Sequence, residues 1–106
     1  MNVTVLWELR FPAASAESGL EVTRKIWQDM RQFPGYLDHE IVRDLEDGGH
    51  ILVISHWTSR EAVETVKNRY AHHPNVVLAN HLVAEPRHRW IGMRVEDINA
   101  ASQEAA

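Results

Sequence analysis

Residues 3 to 11, VTVLWELRF, alternate: Val3, Val5, Trp7, Leu9 and Phe11 fall on one side, with Thr4, Glu8 and Arg10 on the other. Such period-two alternation marks a strand with one buried face. Pro12 ends it, and a short Ala/Ser loop follows. Ser18 then stands three residues before Glu21. This capping-box spacing satisfies two orphan amides and predicts a helix from about residue 19 to about residue 33. Val22, Ile26, Met30 and Phe33 form its apolar stripe, with Trp27 beside them, and that stripe needs a sheet to cover.

FPGY breaks the helix, because Pro34 disfavours helical geometry at Phe33 and Gly35 supplies turn freedom. YLDHEIVRDL and HILVISHW then flank EDGG, and Asp-Gly between apolar runs signals a hairpin with a type I′ turn. That turn places His39 opposite His56, Ile41 opposite Ile54 and Arg43 opposite Leu52 on one face. On the other face it sets Glu40 against Ser55 and Asp38 against Trp57. A bulge at Gly49 would shift this register.

TSRE repeats the capping-box spacing with Thr58 and Glu61 and starts a second helix directly after Trp57, with Ala62, Val63, Val66 and Tyr70 as its buried stripe. AHHP ends it, and Pro74 opens a short helix on which Val77, Leu78, His81 and Leu82 share a face, His81 being expected as a hydrogen-bonded core histidine. Pro86 closes that segment, RHRWIGMRV reads as the last strand, and residues 96 to 106 as a frayed or partner-dependent tail. The order strand, helix, strand, strand, helix with a helical extension, strand is a split βαβ pattern. It predicts an α+β, ferredoxin-like domain over residues 1 to 95: a four-stranded antiparallel sheet with helices on one face. Both parities of ILVISHW carry apolar residues, so the second sheet face is expected to be covered by another copy of the chain, a homodimer through the sheet face.

The 106 residues suffice for one core but not two. A net charge of -4 without any Lys/Arg cluster argues against a nucleic-acid partner. The absence of cysteine removes disulfides, thiolate nucleophiles and Cys-based zinc sites. No apolar run approaches a membrane span, and the first residues lack the zones of a signal peptide. A cytoplasmic location is therefore expected. Seven histidines, His39, His50, His56, His72, His73, His81 and His88, are the compositional oddity.

FPGYLDHEIVRD, HILVISHW and the junction WTSREAV resemble the antibiotic biosynthesis monooxygenase family of dimeric α+β barrels, over roughly residues 3 to 94. The resemblance implies a homodimer with a pocket between sheet and helices in each subunit. It also implies cofactor-independent oxidation of an aromatic polyketide, anthrone or quinol-type molecule by molecular oxygen. Haem binding and oxidative haem degradation form the alternative within the family, and a non-catalytic small-molecule-binding dimer is a third reading. Trp57 matches the strand-end tryptophan that shapes the site in anthrone oxygenases. The asparagines of those enzymes are replaced here by Val53 and by the Leu6, Trp7, Glu8 region, and the haem-side tryptophan and histidine by Val66 and Val76.

The candidate catalytic bases are His39 and His56, which the hairpin register sets side by side, able to share a proton or to deprotonate a phenol or an activated methylene. The plain alternative is two half-exposed histidines at a strand end. A metal needs a third ligand, which His50 at the far end of the strand cannot supply, so no metal site is expected. Trp57, Trp27 and Tyr70 are the candidate walls of an aromatic site, though a strand-end tryptophan often simply fills core. Ser55 shares the face of Trp57, and His72 and His73 border the expected pocket mouth.

Overall fold

The computed structural model describes residues 2–96. Strand β1 (Val3–Arg10) leads through a 3-10 turn (Ala13–Ser15) into helix α1 (Ala16–Met30). Strands β2 (Tyr36–Arg43) and β3 (His50–Trp57) form the hairpin, and helices α2 (Arg60–Tyr70) and α3 (Pro74–Leu82) precede strand β4 (His88–Gly92). The antiparallel sheet has the order β2-β3-β1-β4. It is the ferredoxin-like α+β fold expected from the element order. Among the described residues no helix is long and apolar enough to cross a membrane. The tail expected over residues 96 to 106 lies, beyond Glu96, outside the described residues.

The core is one layer between sheet and helices. Val5, Leu9, Ile51, Val53 and Trp57 of the sheet meet Val22, Ile26, Trp27 and Met30 of α1, with Val63 and Tyr70 of α2 and Val76 and Ala79 of α3. The α1 stripe is the expected one up to Met30, where the helix ends, with Phe33 half-buried beyond it, and the helix begins three residues earlier than expected. Ser15 is the N-cap residue and Ser18 lies within the first turn, because the 3-10 turn after Pro12 already supplies helical geometry. In α2 the cap is Ser59 rather than Thr58: its hydroxyl accepts from Ala62 N at 3.1 Å. Thr58 is occupied as the last link to the preceding turn, its N–H donating to the carbonyl of Gly35 at 2.8 Å. Gly35 has φ 89°, and a Cβ there would lie 2.5 Å from that of Ala62, so only glycine suits this turn.

The hairpin departs most from expectation. Asp44 N donates to His50 O, and His50 N donates to Asp47 O, each at 3.0 Å; Gly48 does not adopt the positive φ of a type I′ turn. Asp44 and Asp47 instead accept from Glu46 N and Gly49 N, local side-chain turns that lengthen the connection. Gly49 is pinned against β1: Phe11 N donates to its carbonyl at 2.8 Å, and a Cβ would come within 2.0 Å of Phe11 O. The register therefore moves by one residue. His39 faces Ser55, Asp38 faces His56 and Ile41 faces Val53, with an irregularity between Tyr36 and Asp38 that brings Tyr36 opposite Trp57. The expected His39–His56 pair does not form, because a one-residue shift sends every side chain to the other face.

Helix α3 opens at Pro74 as expected, capped by His73, whose Nδ1 accepts from Asn75 N. Its buried residues are Val76 and Ala79, whereas Val77, Leu78 and His81 are exposed. His81 is thus a surface residue. A helix apolar on several sides does not fix its own phase by periodicity.

Candidate functional site

β3 ends inside the core, and its alternation aims Ile51, Val53, Ser55 and Trp57 at the helices. Trp57 is 2% exposed. Its indole N–H donates to Ser55 Oγ at 3.0 Å, and Ser55 donates on to the carbonyl of Val5 at 3.2 Å. This chain fixes the indole plane and satisfies a buried donor. Trp27 crosses Trp57 at 6.4 Å and meets Trp7 edge-on at 5.4 Å. The three tryptophans form a continuous aromatic wall.

Beside them lies a cavity of about 120 Å³, lined by Val5, Trp7, Trp27, Met30 and Trp57 with Val63, Val66 and Tyr70 of α2. Val76 and Ala71 close one side, and Lys67, Arg87 and Arg89 provide the cationic part of the lining. No carboxylate and no imidazole is among the lining residues. Arg87 lies over the Trp7 ring at 4.5 Å, a cation–π contact, and its Nη1 is buried without a hydrogen bond. Burial, reinforced by neighbouring Arg89, pulls its pKa below the usual guanidinium value. Arg89 is held at 3.5 Å by Glu64. The Trp27 indole N–H is also buried and unpaired. The cavity is thus apolar in its depth and positive at its edge.

Tyr70 contributes its ring to the wall and donates its hydroxyl to Asp29 at 2.5 Å. Burial first, and that carboxylate second, push the phenol pKa far up, so Tyr70 stays protonated. Its ring stacks on His73 at 4.3 Å, and His73 Nε2 lies 3.8 Å from Asp29.

The structure brings Trp27, Trp57 and Tyr70 together at the cavity and sets Ser55 behind Trp57 as its hydrogen-bond partner. His73 backs Tyr70, while His72 is exposed on an open groove beside Pro74 and Val77. His39 is on the helix side of the sheet but not on the cavity wall. Tyr36 Oη lies 2.6 Å from its Nδ1 and Trp27 packs against it. Burial is the main cause lowering its pKa, and Arg31 adds to it. His56 is on the opposite face, bonded through Nδ1 to Asp38 at 2.5 Å. Among the described residues no group of three or more His, Cys, Asp or Glu side chains is placed to hold a metal ion.

A sequence profile of the antibiotic biosynthesis monooxygenase family matches residues 2–73. The chain belongs to this family. Solved structures of similar fold include an antibiotic biosynthesis monooxygenase with TM-score 0.79 and 20% identity, covering 89% of this chain and 99% of that one. SnoaB, a cofactor-independent oxygenase from Streptomyces nogalater, superposes with TM-score 0.82 at 13% identity over 92% of this chain and 96% of its own. A candidate antibiotic biosynthesis monooxygenase from Deinococcus radiodurans is 27% identical, with TM-score 0.74 over 92% of this chain and 96% of that one. No curated protein sequence matches significantly.

For this family member, sequence reasoning missed Trp7, Lys67, Arg87 and Arg89 as cavity residues. The signal for the two arginines was present. In the last strand Ile91 pairs with Val5 and Arg89 with Trp7, so the helix-facing parity of RHRWI carries arginine where core residues stand elsewhere in the sheet.

Proposed function

We propose that this protein is a cofactor-independent monooxygenase acting on a compact phenolic, quinol or anthrone-type molecule. The observation that carries this reading is the partly open, tryptophan-walled cavity beside Trp57 with cations in its lining. An apolar cavity of this size accepts roughly one aromatic ring, so further rings of a substrate would lie at the mouth. The alternation of Trp7, Trp27 and Trp57 offers flat faces for such a ring. Family membership and the likeness in fold to a cofactor-independent oxygenase support the chemistry.

Oxidation needs an electron-rich substrate anion that reacts with O2 directly. For an anthrone-type methylene, two C–H bonds are replaced by a carbonyl. One oxygen atom of O2 enters the product and the other leaves as water, O2 being the sole oxidant. His39 lies behind Trp27 and His56 on the other sheet face. Neither therefore meets a cavity-bound substrate directly in this arrangement. The positive field of Lys67 and Arg87 in the lining instead lowers the pKa of a bound phenol or enol, so that water at the mouth suffices as proton acceptor. A haem does not fit a cavity of about 120 Å³ without an imidazole in its lining.

The reading includes a homodimer through the outer sheet face. There Ile54, Leu6 and Trp90 lie in one row across β3, β1 and β4, with Trp90 57% and Val42 43% exposed, an apolar stripe of the kind that partners cover. The test is oxygen uptake with an anthrone and with a naphthoquinol under isotopically labelled O2. Protein-dependent uptake with one labelled oxygen atom in the product is expected. Rates equal to the uncatalysed background for both substrates would overturn the reading.

A further inference from the structure

Arg87 follows α3 and immediately precedes β4, and is half-buried against Trp7 at the cavity. A buried guanidinium N–H without an acceptor costs free energy, since hydration is lost and nothing replaces it. Nη1 of Arg87 is in this state. The neighbouring Arg89 is offset by Glu64, whereas among the described residues no carboxylate lies within ion-pair distance of Arg87. The cavity lining therefore includes a half-buried guanidinium, over the Trp7 ring, that no carboxylate offsets among the described residues.

We propose that the ligand of this cavity is an aromatic monocarboxylate, its ring against the tryptophan wall and its carboxylate on Arg87. This rests on the reading of the cavity as the substrate site and narrows it to a substrate class. A planar guanidinium presents paired N–H groups that match a carboxylate, and the Trp7 ring beneath its Cζ restrains where that fork sits. Of the three lining cations Arg87 is the one set over an aromatic ring, and a single guanidinium fork matches a single carboxylate. The carboxylate is a positioning handle distinct from the oxygen that ionises during oxidation, so ring and reacting atom are oriented by a group that takes no part in the chemistry.

The experiment is calorimetric titration of the full chain, without oxygen, with 2-naphthoate and with its methyl ester, which keeps the ring and removes the charge. The acid is expected to bind at least about tenfold more tightly than the ester, with affinity falling as salt is added. Arg87→Gln is expected to abolish that preference, Arg87→Lys to retain part of it, and Arg89→Gln to retain most of it. Equal affinities for acid and ester, or no measurable binding of the acid to the unmodified protein, overturn the proposal. So does a preference that survives Arg87→Gln. The acid-to-ester comparison needs no variant, so a folding defect in Arg87→Gln leaves the test intact. Because no turnover occurs, failure here with oxygen uptake preserved removes only the carboxylate, whereas binding without oxygen uptake removes only the oxygenase reading.

Discussion

β3 serves two environments at once, and its alternate residues record the difference. Toward the helices, Ile51, Val53, Ser55 and Trp57 are at most 2% exposed, and their polar atoms are spent within the core: Trp57 on Ser55, and Ser55 on Val5. Away from the helices, His50, Leu52, Ile54 and His56 are only half-buried, and their polar atoms reach charged neighbours. His50 bridges Asp44 at 2.9 Å and Glu8 at 2.7 Å, while His56 bonds Asp38. One strand thus builds a dry, ring-lined site on one side and a charged, apolar-striped surface on the other. The comparison teaches that the two histidines of this strand, His50 and His56, belong to the second environment.

The largest expected contrast is between two tryptophans. Trp57→Ala leaves a cavity beside an existing one and is expected to cost about 3–5 kcal/mol of folding stability. Trp90→Ala, on the outer face, is expected to change monomer stability by no more than about 0.5 kcal/mol. Urea unfolding of both variants at low concentration measures this, and similar losses would dissolve the distinction between the faces. Trp90→Glu adds charge to the outer stripe and is expected to shift sedimentation toward the monomer, whereas an unmodified chain that sediments as a monomer at micromolar concentration would remove the proposed partner.

Ser55→Ala comes next. It leaves the Trp57 indole N–H buried without its acceptor, and a loss of about 1–3 kcal/mol is expected. Thr4→Ala, one strand over on the outer face, is expected to be nearly neutral by the same unfolding assay.

The smallest effects are opposite in sign on the two faces. His50 is held protonated, first by Asp44 and then by Glu8, so its pKa lies above the ordinary 6.5. Its contribution is full below that value and is lost as pH rises through the raised one. The partner carboxylates are lowered by the same contact, so they contribute above their ordinary values and lose that contribution as pH falls. His39 is the reverse: burial lowers its pKa below 6.5. The folded state therefore resists a proton that the unfolded chain accepts, and stability falls as pH drops below 6.5 toward the lowered value. In unfolding experiments between about pH 5 and about pH 8, His50→Gln is expected to remove the alkaline loss and His39→Gln the acidic one. Matching profiles for the two variants would contradict the assignment of opposite environments.

The fold was legible because its periodicities are strong. Val3 to Phe11 alternates, Val22 to Met30 runs at helical spacing, and Pro12, Pro34 and Pro74 punctuate the elements. The hairpin register was not legible, because it is decided by Gly49 lying against Phe11 O, a contact between residues 38 positions apart, and by two local aspartate turns that outcompete the Asp-Gly signal. That one-residue shift placed His39 among aromatic residues and left His56 outside. The tryptophan wall was partly readable, since Trp27 and Trp57 carry clear periodic positions. Arg87 was readable only in its parity with Arg89 and Ile91, because a charged residue before an edge strand reads as solvated until the neighbouring Trp7 ring is seen.

The central claim is that chemistry belongs to the helix-covered face, and it is tested most directly by plugging that face alone. Val66 lines the cavity from α2 and does not reach the outer surface of the sheet. Oxygen uptake with a naphthoquinol is compared for Val66→Trp and for His56→Ala, each first checked for wild-type melting. The account expects uptake to fall to background in Val66→Trp and to persist in His56→Ala. Uptake that survives in Val66→Trp but vanishes in His56→Ala would place the reaction on the opposite face and contradict it.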